Sequence, residues 1–123
     1  MSDKTTVVFY QEEDGSVPLL EWLDDLPPKA KAKCLVRVER LEELGNQLRR
    51  PEADLLRDEI YELRIGLQGI HYRLLYFFHG KKVAILSHGL TKEKRVSSKE
   101  INLAIRRKHL FEQDPKCHTY EVE

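Results

Sequence analysis

Residues 60–90 read IYELRIGLQGIHYRLLYFFHGKKVAILSHGL, and the fold follows from how this stretch breaks up. Three runs rich in β-branched and aromatic residues stand out: Ile60 to Ile65, Ile70 to Phe78 and Lys82 to Leu90. Short links containing glycine separate them, at Gly66 to Gly69 and at His79-Gly80-Lys81. Such short connections join antiparallel neighbours, so the stretch predicts a three-stranded meander.

Upstream, Thr5 to Tyr10 has the same strand composition and stops at the acidic Gln11 to Gly15 turn. Ser16 is a plausible cap and Pro18 suits a first helical turn, with Leu19, Leu20, Trp22, Leu23 and Leu26 forming an apolar face. Pro27-Pro28 closes that helix and opens a second, where Ala30, Cys34, Val38, Leu41, Leu44 and Leu48 recur at steps of three or four. Residues 46–58 have no clear period and contain Pro51, which predicts a connecting loop. Downstream, Ser97 and Glu100 match a capping box for a last helix whose inner face carries Ile101, Ala104 and Ile105. The order β-α-α-β-β-β-α defines an α+β domain. A helical hairpin covers one face of a mainly antiparallel sheet, a C-terminal helix follows, and the other face is left for function. Residues 1–114 make one domain, and 115–123 a polar, weakly attached tail.

The 123 residues, 41% of them hydrophobic, suffice for one modest core and leave no room for a second domain. No apolar run approaches the length of a membrane span, and the polar start lacks a signal-peptide core, so a cytoplasmic location is expected. Cys34 and Cys117 form no paired framework or metal spacing, so neither a metal nor a cofactor is expected. The formal net charge is zero, but it is unevenly spread. Residues 1–63 carry nine Lys/Arg against fifteen Asp/Glu, whereas 64–109 carry eleven against two. The second half therefore has the footprint of a polyanion site. A competing reading is that these cations lie on solvated faces and neutralise the acidic half.

Strand alternation narrows the basic half to a constellation. Arg64 lies opposite Leu63 and Ile65, and Arg73 opposite Tyr72 and Leu74, so the two arginines emerge together if their neighbours meet the helices. His71 shares the face of Arg73, and His88 belongs to the same sheet. The exit of the third run adds Lys92, Lys94 and Arg95 at the rim. Two guanidinium forks on adjacent strands suit a phosphate approached from two directions, which lysines do not imitate. For RNA the ribose 2′-OH is itself a nucleophile, so a protein needs only to remove its proton, stabilise the phosphorane and protonate the leaving oxygen. No metal is required. Arg64 has a plainer reading as the partner of Glu62 or Glu59, and Tyr72, Tyr76, Phe77 and Phe78 as core.

Several segments carry a resemblance in fixed order. Ile60-Tyr61-Glu62-Leu63-Arg64 is similar to a Y-E-L-R strand, His71 to Tyr76 to a Y-R-x-x-Y strand, and Leu86 to Lys92 to an L-x-x-x-F-x-K-K strand end. Lys99-Glu100-Ile101 with Ala104 and Arg107 resembles the helix that follows. From about Val7 to Phe111 the chain thus resembles the RelE/ParE toxin superfamily, particularly its HigB-like, phage-derived branch. The resemblance implies a RelE-like fold and the toxin of a type II toxin-antitoxin pair, neutralised by a cognate antitoxin with a helix-turn-helix domain. It also implies ribosome-dependent endoribonuclease action on messenger RNA. It carries over Arg64, Arg73 and Lys92 as active-site positions. Arg73 is assigned to the scissile phosphate, Arg64 to positioning and transition-state charge, and Lys92 or Lys94 to proton transfer or backbone binding; Arg95, His71 and His88 are further substrate contacts. Glu93 stands where a second lysine is usual, and Val96-Ser97 where Thr-Pro is common. Two other functions stay open: a ParE-like inhibitor of DNA gyrase, and an inactive scaffold that only binds its antitoxin. The oligomeric state is undetermined by sequence.

Overall fold

The computed structural model describes residues 4–91 and 95–121. Among them the chain runs β1 (Thr6–Tyr10), α1 (Pro18–Asp24), α2 (Pro28–Leu44), a 3-10 turn (Gly45–Gln47), β2 (Ala53–Arg57), β3 (Ile60–Leu67), β4 (Ile70–His79), β5 (Val83–Thr91), α3 (Ser98–Gln113) and β6 (Thr119–Glu121). The six strands form one sheet in the order β2-β3-β4-β5-β1-β6. β1 lies parallel to β5, and every other neighbouring pair is antiparallel. The molecule is therefore α+β, with the expected helical hairpin, meander and last helix, and with two further strands.

Both additions have a local cause. β2 occupies part of the segment expected to be a loop. It turns into β3 through Asp58 and Glu59, whose φ angles of 51° and 65° give the left-handed pair of a tight hairpin without any glycine to announce it. The β3–β4 link uses the same conformation at Gln68 and Gly69, with φ of 53° and 81°. After Pro115 the chain is not a weakly attached tail. His118 is buried, stacks on Tyr10 at 5.0 Å and meets the Gln11 carbonyl at 2.8 Å, and β6 then pairs with β1.

The core has two layers because the sheet is covered on both faces. On one side Leu63, Ile65, Tyr72, Leu74, Tyr76 and Leu86 pack with Leu19, Leu23, Ala30, Cys34 and Leu41 of α1 and α2. On the other, Ile60, Leu75, Phe77, Ile85 and Leu90 pack with Val96, Ile101, Ala104 and Phe111 of the α3 region. The second face is thus not left open, as the sequence suggested. α3 takes most of it, and the open part lies near the helix start. Burial of Cys34 pushes its thiol up to about 11, as befits a small core side chain.

Two expected caps are also different. Ser16 bonds Asp14 through its hydroxyl and amide, and Val17 takes the cap position of α1. Ser97 does precede α3, but its hydroxyl makes no cap bond and the Glu100 carboxylate turns to His88 instead. Gly89 explains how α1 reaches β5: the Trp22 ring lies directly on its backbone, and a methyl group there would overlap ring carbons. Gly89→Ala is expected to cost about 1–3 kcal/mol in chemical denaturation. A wild-type midpoint would contradict this packing.

Candidate functional site

The β3–β4 register places Arg64 directly across from Arg73. Both side chains project to the α3 side of the sheet, because Leu63, Ile65, Tyr72 and Leu74 fill the opposite core. They border a cavity of about 820 Å³ at the start of α3, which Arg50, Arg57, Arg95, Ser97 and Ser98 also line. Among the described residues, five arginines and two carboxylates, Asp54 and Glu62, face this space. Its field is positive, and its donors are planar forks.

The two central arginines differ. Arg73 keeps only 9% of its side chain exposed and donates to Glu62 Oε1 at 2.8 Å; Glu62 is itself 4% exposed. Arg64 is 40% exposed, with its Nε 3.8 Å from Glu62 Oε2. Arg73 is therefore a fixed charge in the cavity wall, and Arg64 a reachable one beside it. At the periphery Arg50 pairs with Asp54 at 2.8 Å, and Arg57 reaches Asp58 and the Asn102 side chain at 2.7 Å each. The Arg50 hydrogen bond holds the Asp54 carboxyl below its usual range, so that carboxylate stays charged and spoken for.

The remaining sequence candidates divide. Arg95 borders the cavity. His71 lines a smaller neighbouring notch of about 370 Å³, which shares Arg64 and Arg73 with the main cavity. Lys92 and Lys94 lie outside the described residues. His88 is elsewhere: its Nε2 meets Glu100 Oε1 at 3.1 Å and its Nδ1 meets Ser87 Oγ at 2.8 Å. A neutral imidazole satisfies this arrangement by donating to Glu100 and accepting from the Ser87 hydroxyl, whose oxygen also accepts from Arg107 at 3.4 Å. It ties β5 to the first turn of α3 and leaves no ring nitrogen for a substrate.

The same environment fixes a pH response. Burial first, and then the Arg107 charge, hold the His88 pKa below its ordinary 6.5 against the pull of Glu100. The unfolded chain takes up that proton near 6.5, and the folded chain only at lower pH. Stability from this site is complete above the unfolded value and declines as pH falls from there towards the folded one. Denaturation midpoints should therefore drop as pH falls below about 6.5, and His88→Gln should flatten that drop. A flat wild-type profile would contradict the assignment.

Much of the charge asymmetry is spent inside the molecule. Acidic residues of the first half meet basic residues of the second at Arg73–Glu62 (2.8 Å), Lys108–Glu59 (3.2 Å) and Arg107–Glu12 (3.4 Å). The neutralising reading is thus right for the last helix, while the cavity keeps its excess. Sequence reasoning missed Arg50 and Arg57, which flank or belong to the unrecognised β2. It named Glu62 only as a partner for Arg64, although strand alternation puts Glu62 on the same face two residues away.

Residues 21–109 match the model of a family described as Phage derived protein Gp49-like (DUF891). The chain belongs to this family. Gp49-like proteins are phage-derived, associated with toxin-antitoxin pairs, and fall within the RelE/HigB-like toxin group. No curated protein matches the sequence. The matched part of this Gp49-like chain takes in α2 to β5, most of α3 and every cavity residue named above, and omits β1 and β6. No described helix of the Gp49-like chain is long and apolar enough to cross a membrane, and no described cluster of His, Cys, Asp and Glu has a metal-binding arrangement.

Proposed function

We propose that this Gp49-like protein is the toxin of a type II toxin-antitoxin pair, of HigB-like type and RelE-like topology, and that it cleaves messenger RNA on the ribosome. The observation that carries the reading is the Arg64–Arg73 pair, side by side across two strands in an arginine-lined cavity. In the proposed reaction the RNA 2′-OH loses its proton and attacks the adjacent phosphorus, the guanidinium groups stabilise the charge of the phosphorane, and the P–O5′ bond breaks as the leaving oxygen takes up a proton. Arg64, the exposed member, takes the scissile phosphate. Arg73, already aligned by Glu62, steadies the developing charge from the wall, the reverse of the roles assigned from the sequence.

His88 is engaged with Ser87 and Glu100, and no histidine lines the large cavity. Proton transfer is assigned to Lys92, and RNA backbone binding to Lys94 and Arg95, on the strength of the resemblance to RelE/HigB-like toxins. A helix-turn-helix antitoxin is the expected partner, and the toxin domain takes in β6 as well as the elements up to α3.

Inducible expression with mapping of messenger RNA 5′ ends tests the activity. Growth arrest with new ends inside coding regions is expected. Arrest without new ends contradicts the nuclease and favours gyrase inhibition; neither arrest nor ends leaves only a scaffold.

A further inference from the structure

We infer that the notch beside the arginine pair is a nucleobase subsite, receiving the base next to the phosphate held by Arg64. The inference rests on the phosphate reading of the large cavity and adds a second compartment to it. Arg64 and Arg73 border both spaces, so the pair is a ridge between them, and a ligand phosphate on the ridge must send its substituents to one side or the other.

The notch exists because β2 is shorter than β3. Their last backbone bond runs from the Arg64 amide to the Glu52 carbonyl, at 2.8 Å. Beyond it the edge of β3 has no strand beside it. By ladder alternation the peptide groups that face this gap belong to Gly66, two residues on. Its carbonyl accepts from Lys33 Nζ at 3.1 Å, and a side chain at 66 would point into open space. Pro51 and His71 complete the walls, and Arg37 stands at the α2 side, 3.6 Å from Glu52.

These surroundings decide between two kinds of occupant. A peptide strand adding to the β3 edge needs a row of free donors and acceptors. Here one residue faces the gap, and its carbonyl is already taken. A base needs far less: a planar face on which to stack, which the His71 ring and the Arg37 guanidinium offer, and one or two hydrogen bonds at its edge, for which the Gly66 amide is placed. Arg37, Arg64 and Arg73 outnumber the one carboxylate of the lining, Glu52, and favour a ligand that carries phosphate. The volume of about 370 Å³ lies within the range of small-ligand sites.

Binding of inorganic phosphate, ribose 5-phosphate and the four nucleoside 3′-monophosphates to the full chain, followed by amide NMR, tests this without any cleavage assay. At least one nucleotide is expected to bind on the order of 10-fold more tightly than ribose 5-phosphate, the gain expected of one stacked base. Amide shifts at Ile65, Gly66 and His71 should accompany nucleotides and not phosphate. In Gly66→Val, which sets a branched, strand-compatible side chain in the lining of the notch, and in His71→Ala, that affinity ratio should fall towards one. Equal affinities in the wild type, or a ratio unchanged in both variants, would overturn the subsite. Failure of phosphate itself to shift Arg64 and Arg73 would overturn the phosphate site, and the subsite with it.

Discussion

Arg73→Ala is expected to lose about 3–5 kcal/mol of stability, the usual consequence of leaving one member of a buried ion pair without its partner. Glu62 is 4% exposed, and Arg73 supplies its short bond, so the substitution strands a carboxylate in the wall. A domain of ordinary stability, about 5–15 kcal/mol in all, is brought close to unfolding by such a loss. Loss of activity in Arg73→Ala therefore says little about chemistry. The pair Glu62→Leu with Arg73→Met removes both charges and should recover most of the stability, because apolar replacement of a whole buried pair is often neutral or better. Urea denaturation of the two single variants and the double variant checks this. If Arg73→Ala unfolds at the wild-type midpoint, the pair is not a buried anchor.

Arg64→Ala should behave in the opposite way. Arg64 is 40% exposed and stands 3.8 Å from Glu62, which keeps its shorter bond to Arg73, so stability should change by less than about 1 kcal/mol. Removing one preorganised donor from a developing oxyanion costs roughly 100- to 1000-fold in rate. Arg64→Lys should restore only part of it, since an ammonium lacks the two-pronged geometry. The combination of native stability with lost cleavage marks a residue that acts on substrate.

How much of this was legible in the sequence depends on which signal carried each element. Alternation in 60–90 was enough to pair Arg64 with Arg73, because a one-residue slip would have turned Leu63 and Leu74 to the wrong face. β2 was not legible: its turn residues, Asp58 and Glu59, adopt left-handed angles that usually call for glycine or asparagine. With β2 went Arg50 and Arg57, two of the five cavity arginines. The parallel pairing of β1 with β5 is a long-range choice that no local pattern records. His88 reads as a site residue because it belongs to the sheet that carries the arginines, yet the α3 partner that removes it, Glu100, becomes visible only when that helix is laid across the sheet. Glu100 fits half of a capping box by its spacing from Ser97, a role its side chain gives up for the histidine.

The central claim is that a fixed and a reachable arginine together form a site for cutting RNA. Its most direct test is a reconstituted translation reaction in which purified wild type and Arg64→Ala meet the same messenger RNA, free and bound to ribosomes. The wild type is expected to cut the ribosome-bound message and spare the free one, and Arg64→Ala to cut roughly 100-fold or more slowly while unfolding at the wild-type midpoint. Equal cutting by the two proteins, or none by the wild type, would contradict it.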